Sequence, residues 1–65
     1  MSYVIYYRRW GGIDARDEFA SLEGLKFVIM HEKDSSFEYF NLCVICDDGS
    51  EEIICSNVDK VKDLK

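Results

Sequence analysis

Between Phe37 and Cys55 the chain reads FEYFNLCVICDDGSEEIIC, and this stretch limits the fold more than any other. Two apolar runs flank an acidic turn. Asp48-Gly49 at its centre is a strong hairpin signal, because glycine supplies the positive φ that tight turns require. Strands are therefore predicted over Tyr39 to Cys46 and Glu51 to Cys55. The first of them is apolar on both faces, with Leu42, Val44 and Cys46 on one side and Cys43 and Ile45 on the other. A strand of that kind is central and covered on both sides. One helix covers only one face of a small sheet. The second face then calls for the C-terminal segment, a second subunit or a target.

Upstream, Tyr3 to Trp10 is aromatic and β-branched, the composition of a strand. Gly11-Gly12 follows and reads as a two-residue hairpin loop. In that register Trp10 faces Ile13, Arg8 faces Ala15 and Val4 faces Phe19. On the other face Arg9 meets Asp14, Tyr7 meets Arg16 and Ile5 meets Glu18. Ser21 is a natural N-cap. Leu22, Leu25 and Ile29 share one helical face with Val28 beside them, Glu23 in the first turn and Lys33 near the last, although Gly24 weakens a helix. A strand over Leu25 to Glu32 is the rival reading. Asp34-Ser35-Ser36 breaks the chain. At the end, Val58, Val61 and Leu64 lie at helical spacing behind Ser56 or Asn57 as cap, a segment that docks or frays. These elements predict one compact α+β domain over residues 1–65. Its small single-layer antiparallel sheet packs on one helix, in the order ββαββ with a short C-terminal helix or tail.

Sixty-five residues allow one small core, and a chain this short buries only about 60% of its unfolded surface. Yet 48% of the residues are hydrophobic, so apolar surface is left for another chain to cover. The formal charge of −5 repels phosphates and favours basic partners or plain solubility. Met1-Ser2-Tyr3 runs straight into a strand pattern and gives no sign of a secretory leader. No apolar run reaches the roughly 18 residues of a membrane span. An odd count of three cysteines argues against a secreted disulfide framework and for a reducing, cytoplasmic setting.

Three groups of residues carry recognisable chemistry. Cys43, Cys46 and Cys55 with His31 offer four zinc-type ligands, the basis of an alternative reading as a small structural zinc module. Strand parity works against it, since side chains three apart on a flat strand point to opposite faces. Asp47, Asp48, Glu51 and Glu52 form an acidic hairpin without the ligand spacing of a calcium loop. Tyr3, Tyr7, Arg8, Arg9 and Trp10, with Arg16, could stack and pair with single-stranded nucleic acid, but Asp14, Asp17 and Glu18 stand ready to neutralise the arginines. Direct nucleic-acid binding is thus disfavoured. No nucleophile, base or phosphate-cradling motif marks an enzyme, and no cofactor is implied.

The residues expected to be left over from the core are Tyr7, Trp10, Phe27, Met30, Phe37 and Tyr39. Together with Asp47, Asp48, Glu51 and Glu52 they are the candidate partner-binding set. The expectation is a non-enzymatic binding protein, an inhibitor or regulator that occupies a surface of another protein, basic in character, with a homodimer as the other arrangement in view. In size, acidity and ββαββ pattern the chain resembles the small accessory proteins with which phages and mobile elements bind and block host machinery. That resemblance implies host interaction, with mimicry of nucleic-acid phosphates as one version.

Overall fold

The structure is a computed structural model and describes residues 2–31 and 37–64. The predicted break at Asp34-Ser35-Ser36, and Lys33, lie outside the described residues. Strands β1 (Ser2–Arg9) and β2 (Asp14–Phe19) precede helix α1 (Leu22–Met30), and β3 (Phe37–Ile45) and β4 (Glu51–Cys55) follow it. A 3-10 helix over Val58–Asp63 ends the described chain. The sheet order is β2-β1-β3-β4, with every pairing antiparallel. This is the expected ββαββ α+β order.

The first hairpin forms where Gly11-Gly12 places it, but not in the predicted register. Gly12 N–H donates to the Arg9 carbonyl at 2.9 Å, and Gly11 takes φ +77° as third residue of that turn, a position where only glycine is at ease. The loop is longer than two residues, so β2 slips by one. Val4 pairs with Glu18, Tyr6 with Arg16 and Arg8 with Asp14, whereas Tyr3 pairs with Phe19. A slip of one residue exchanges the faces of the whole strand. Phe19 therefore joins Tyr3, Ile5 and Tyr7 under the helix rather than standing beside Val4.

Helix α1 covers that face. Ser21 Oγ accepts from Gly24 N–H at 3.1 Å, the predicted cap. Leu25 is fully buried, with Leu22 and Ile29 packed beside it, while Val28 stays exposed. The helix runs through Leu25–Met30, which settles those residues against the rival strand reading. Leu25 joins Ile5, Phe40, Leu42 and Val61 in the core. Burying one such side chain contributes roughly 1.5–3 kcal/mol.

The C-terminal segment docks rather than frays. Asn57 caps it by accepting from Asp59 N–H at 2.9 Å, Val61 is fully buried, and Lys26 Nζ reaches down to the Leu64 carbonyl. It lies against α1 and β4, on the face the helix already covers. It is not the cover of the second face.

The centre of that second face is covered from within the sheet. Tyr6 OH donates to Glu51 at 2.6 Å, Arg16 Nη1 donates to Glu18 at 3.1 Å, and the Arg16 guanidinium lies 5.7 Å from the Tyr6 ring centroid. This chain of side chains runs over Val4 and Cys43, which are paired across β1 and β3 and almost wholly buried. Over Val4 and Cys43 the expectation that a second subunit or a target must supply the cover is corrected accordingly, whereas Ile53 on the same face stays exposed. A phenol ring and two long side chains shield a two-residue apolar strip without an added layer.

Candidate functional site: an apolar end and an acidic end

The topology divides the candidate partner-binding residues between two ends of a molecule 34 Å long. α1 starts over Tyr3 and finishes over Tyr7, Arg9 and Phe37. Its last turn and the tip of the first hairpin therefore share one end. Trp10 is 66% exposed there, Ile13 85%, Phe27 63% and Met30 66%. Tyr39, also exposed, lies on β3 opposite Arg8 at the same end. Burial raises the pKa of its hydroxyl, assisted by a hydrogen bond with Asp14.

Two members of the apolar set belong to the core margin instead. Tyr7 and Phe37 are half-buried, pack edge to face with centroids 5.6 Å apart, and lean on Phe40. Tyr7 OH also donates to Asp17 at 2.7 Å. The cause lies in a bulge: Arg8 pairs with Tyr39 and Arg9 with Phe37, so Glu38 is an extra residue. The bulge turns Phe37 under the helix and lets Glu38 approach Arg8, with the carboxylate 3.5 Å from Nε. Sequence reasoning missed Ile13 as an exposed residue, because the two-residue loop made it the inward partner of Trp10. Its place directly behind two glycines was the available signal.

The acidic residues gather at the opposite end. Cys46 and Ser50 close the second hairpin, with Gly49 N–H donating to the Cys46 carbonyl at 2.9 Å and Gly49 at φ +86°. Asp48 Oδ1 accepts from Ser50 N–H at 2.9 Å and from Ser50 Oγ at 2.6 Å. These two bonds hold the Asp48 carboxyl below the usual carboxylate range. Asp47 shares the exposed turn with it. Glu51 turns onto the open face toward Tyr6, while Glu52 pairs with Val44 and takes the other face. The four acids thus share an end but not a face.

The arginines of β1 and β2 are engaged with neighbours. Arg8 Nε donates to the Gly12 carbonyl at 3.1 Å, the Arg9 guanidinium sits 4.9 Å from the Phe37 ring centroid, and Arg16 bonds Glu18 and Tyr6. Those bonds raise the pKa of Arg16, the one to Tyr6 foremost. The zinc-type set is not brought together. Cys43 is buried on the open face, where burial pushes its thiol pKa up, with the Glu51 charge adding to it. Cys55 lies under the helix with Sγ donating to the Asn57 carbonyl at 3.1 Å. His31 stacks on Phe27 at 4.1 Å and directs Nδ1 to the Phe27 carbonyl at 2.9 Å. Among the described residues no group of three His, Cys, Asp or Glu side chains could hold a metal ion.

Open clefts flank the 3-10 helix, two of them large. One, of about 470 Å³, runs from Ile54 and Cys55 to Lys60 and Asp63; the other, of about 490 Å³, lies between Tyr3, Leu22, Lys26 and Leu64. Neither is enclosed. Among the described residues no helix is long and apolar enough to cross a membrane. Comparison with protein-family models, curated proteins and solved structures finds no match to this chain.

Proposed function

We propose that the chain is a non-enzymatic protein-binding module, an inhibitor or regulator that works by occupying a surface of another protein. The observation that carries this reading is the exposure of Trp10, Ile13, Phe27 and Met30 at one end of the fold. Large apolar side chains left exposed toward one end of a small protein point to an interaction surface, and tryptophan is prominent among residues that dominate binding energy. Asp47 and Asp48 lie at the opposite end of a molecule 34 Å long, well beyond the screening length of about 8–10 Å, and are not part of this surface.

Mimicry of nucleic-acid phosphates is the less favoured version. It needs a continuous stripe of carboxylates, and on the open face Arg16 stands between Asp14 and Glu18 while Glu38 is drawn to Arg8. A reducing, cytoplasmic setting fits three free thiols. The test is affinity capture from the cells that make the protein, with the wild type and a Trp10→Ala/Phe27→Ala variant side by side. A partner retained by the wild type and lost by the folded variant supports the reading. Equal recovery by both chains places binding elsewhere and contradicts it.

A further inference from the structure

The two edges of the sheet are unlike. β2, reading DARDEF, is mostly charged, and Asp14, Arg16 and Glu18 line its open face. Charges of that kind keep an edge from pairing with another strand. β4, reading EEIIC, has a neighbour on one side only and carries two exposed isoleucines, Ile53 at 60% and Ile54 at 41%. Its acids sit at its beginning, its apolar residues follow, and Lys60 stands just past its end, lining the same cleft as Ile54 and Cys55. An edge strand with acids at one end and a lysine beyond the other is complementary to itself when reversed.

We infer that β4 pairs antiparallel with β4 of a second copy of this chain, about a two-fold axis at Ile53, to give one continuous sheet across two subunits. In that arrangement Ile53 meets Ile53 of the second copy on the open face, because Ile53 shares the face of its neighbour Cys43. By position Glu51 comes level with Cys55 and Glu52 with Ile54; the bulge at Ile54 puts Glu51 and Cys55 on opposite faces, so the pairing is regular only about Ile53, and no two acids face each other. Glu52 shares the helix-covered face with the 3-10 helix, since it pairs with Val44. It therefore comes beside Lys60 of the second copy, and the symmetry forms that pair twice. Asp63 lines the same cleft one 3-10 turn further along and opposes Glu52 weakly. The β3–β4 register shifts between Leu42 and Cys43, which makes Ile54 the extra residue and turns it outward, leaving Ile53 within regular pairing. This interface is independent of the Trp10 end.

The experiment is sedimentation equilibrium over a wide concentration series, with circular dichroism confirming that each variant folds. The wild type should self-associate as a dimer. Ile53→Lys, at an exposed position, should weaken the dimer about tenfold or more. Glu52→Lys should weaken it too, and Glu52→Lys/Lys60→Glu should restore it, while Asp63→Asn should tighten it. Trp10→Ala should leave it unchanged, which separates this inference from the proposed partner surface. A wild type that stays monomeric throughout overturns the inference and leaves the edge to a strand from a different protein. A dimer indifferent to Ile53→Lys, or one the charge exchange fails to restore, overturns it as well.

Discussion

The Tyr6 hydroxyl donates to the Glu51 carboxylate at 2.6 Å across 45 positions of sequence, tying β1 to β4 over the top of β3. The bond closes the open face over Cys43 and gives the sheet a contact that no backbone pairing supplies. Removing the hydroxyl in Tyr6→Phe should cost about 0.5–1 kcal/mol, the range for a solvent-exposed hydrogen bond to a charged group. In a domain this small that corresponds to a fall of roughly 2–8 °C in Tm. A thermal melt checks it, and an unchanged Tm would show that the bond contributes nothing to stability.

Thiol reactivity follows from the same cover. Cys43 is buried with its thiol pKa raised, whereas Cys46 and Cys55 are half-buried. Alkylation of the folded protein should modify Cys46 and Cys55 before Cys43, because the thiolate is the reacting form. Tyr6→Phe should speed modification of Cys43 specifically. Peptide mapping after timed labelling reads the order, and early labelling of Cys43 in the wild type would contradict the buried placement.

The helix face gives a contrast between neighbours. Leu25→Ala empties a fully buried position in the core cluster and should cost about 2–5 kcal/mol, enough to unfold much of a chain this size. Val28→Ala, on the exposed flank, should stay within about 0.5 kcal/mol. Urea titrations of both variants would separate them clearly. Similar losses at the two positions would mean that the helix presents a different face.

The second hairpin carries a pH signature. Ser50 holds the Asp48 carboxyl below the usual range through one side-chain and one backbone bond. A lowered folded pKa contributes stability that is present above the unfolded value and is lost as pH falls through the folded one. The side-chain carboxyl resonance of Asp48 should accordingly titrate below that of an unfolded-chain aspartate. Ser50→Ala should move it part of the way back, since the backbone N–H remains. A midpoint unmoved by that substitution would remove the Ser50 hydroxyl as a cause.

Some of this was legible in the chain and some was not. The Ser21 cap, the Leu22-Leu25-Ile29 face and the Asp48-Gly49 turn are local, each decided by residues within a few positions, and each forms as read. The first hairpin was located by its glycines, yet its register depended on which glycine takes positive φ, and Gly11 rather than the pair sets the turn. The bulge at Glu38, which turns Phe37 inward, leaves no mark in hydrophobic periodicity. Above all, the cover of the open face comes from Tyr6, Arg16 and Glu51, residues brought together only by the strand order. The apolar pattern on both faces of β3 indicated that Cys43 and Ile45 needed a cover but could not show that the sheet supplies its own over Cys43 and Val4. For the candidate site, the exposed Trp10, Phe27 and Met30 were anticipated, whereas the separation of the apolar residues from the acidic turn emerges only with the fold.

The central claim is that the apolar end, not the acidic end, is where another protein sits. Site-specific photo-crosslinking tests it most directly, with a photoreactive phenylalanine placed at position 10, 27 or 48 in turn, in the cells that make the protein. Positions 10 and 27 should each yield the same crosslinked species, and position 48 should yield little of it. Crosslinking confined to position 48, or absent from positions 10 and 27, would contradict the account.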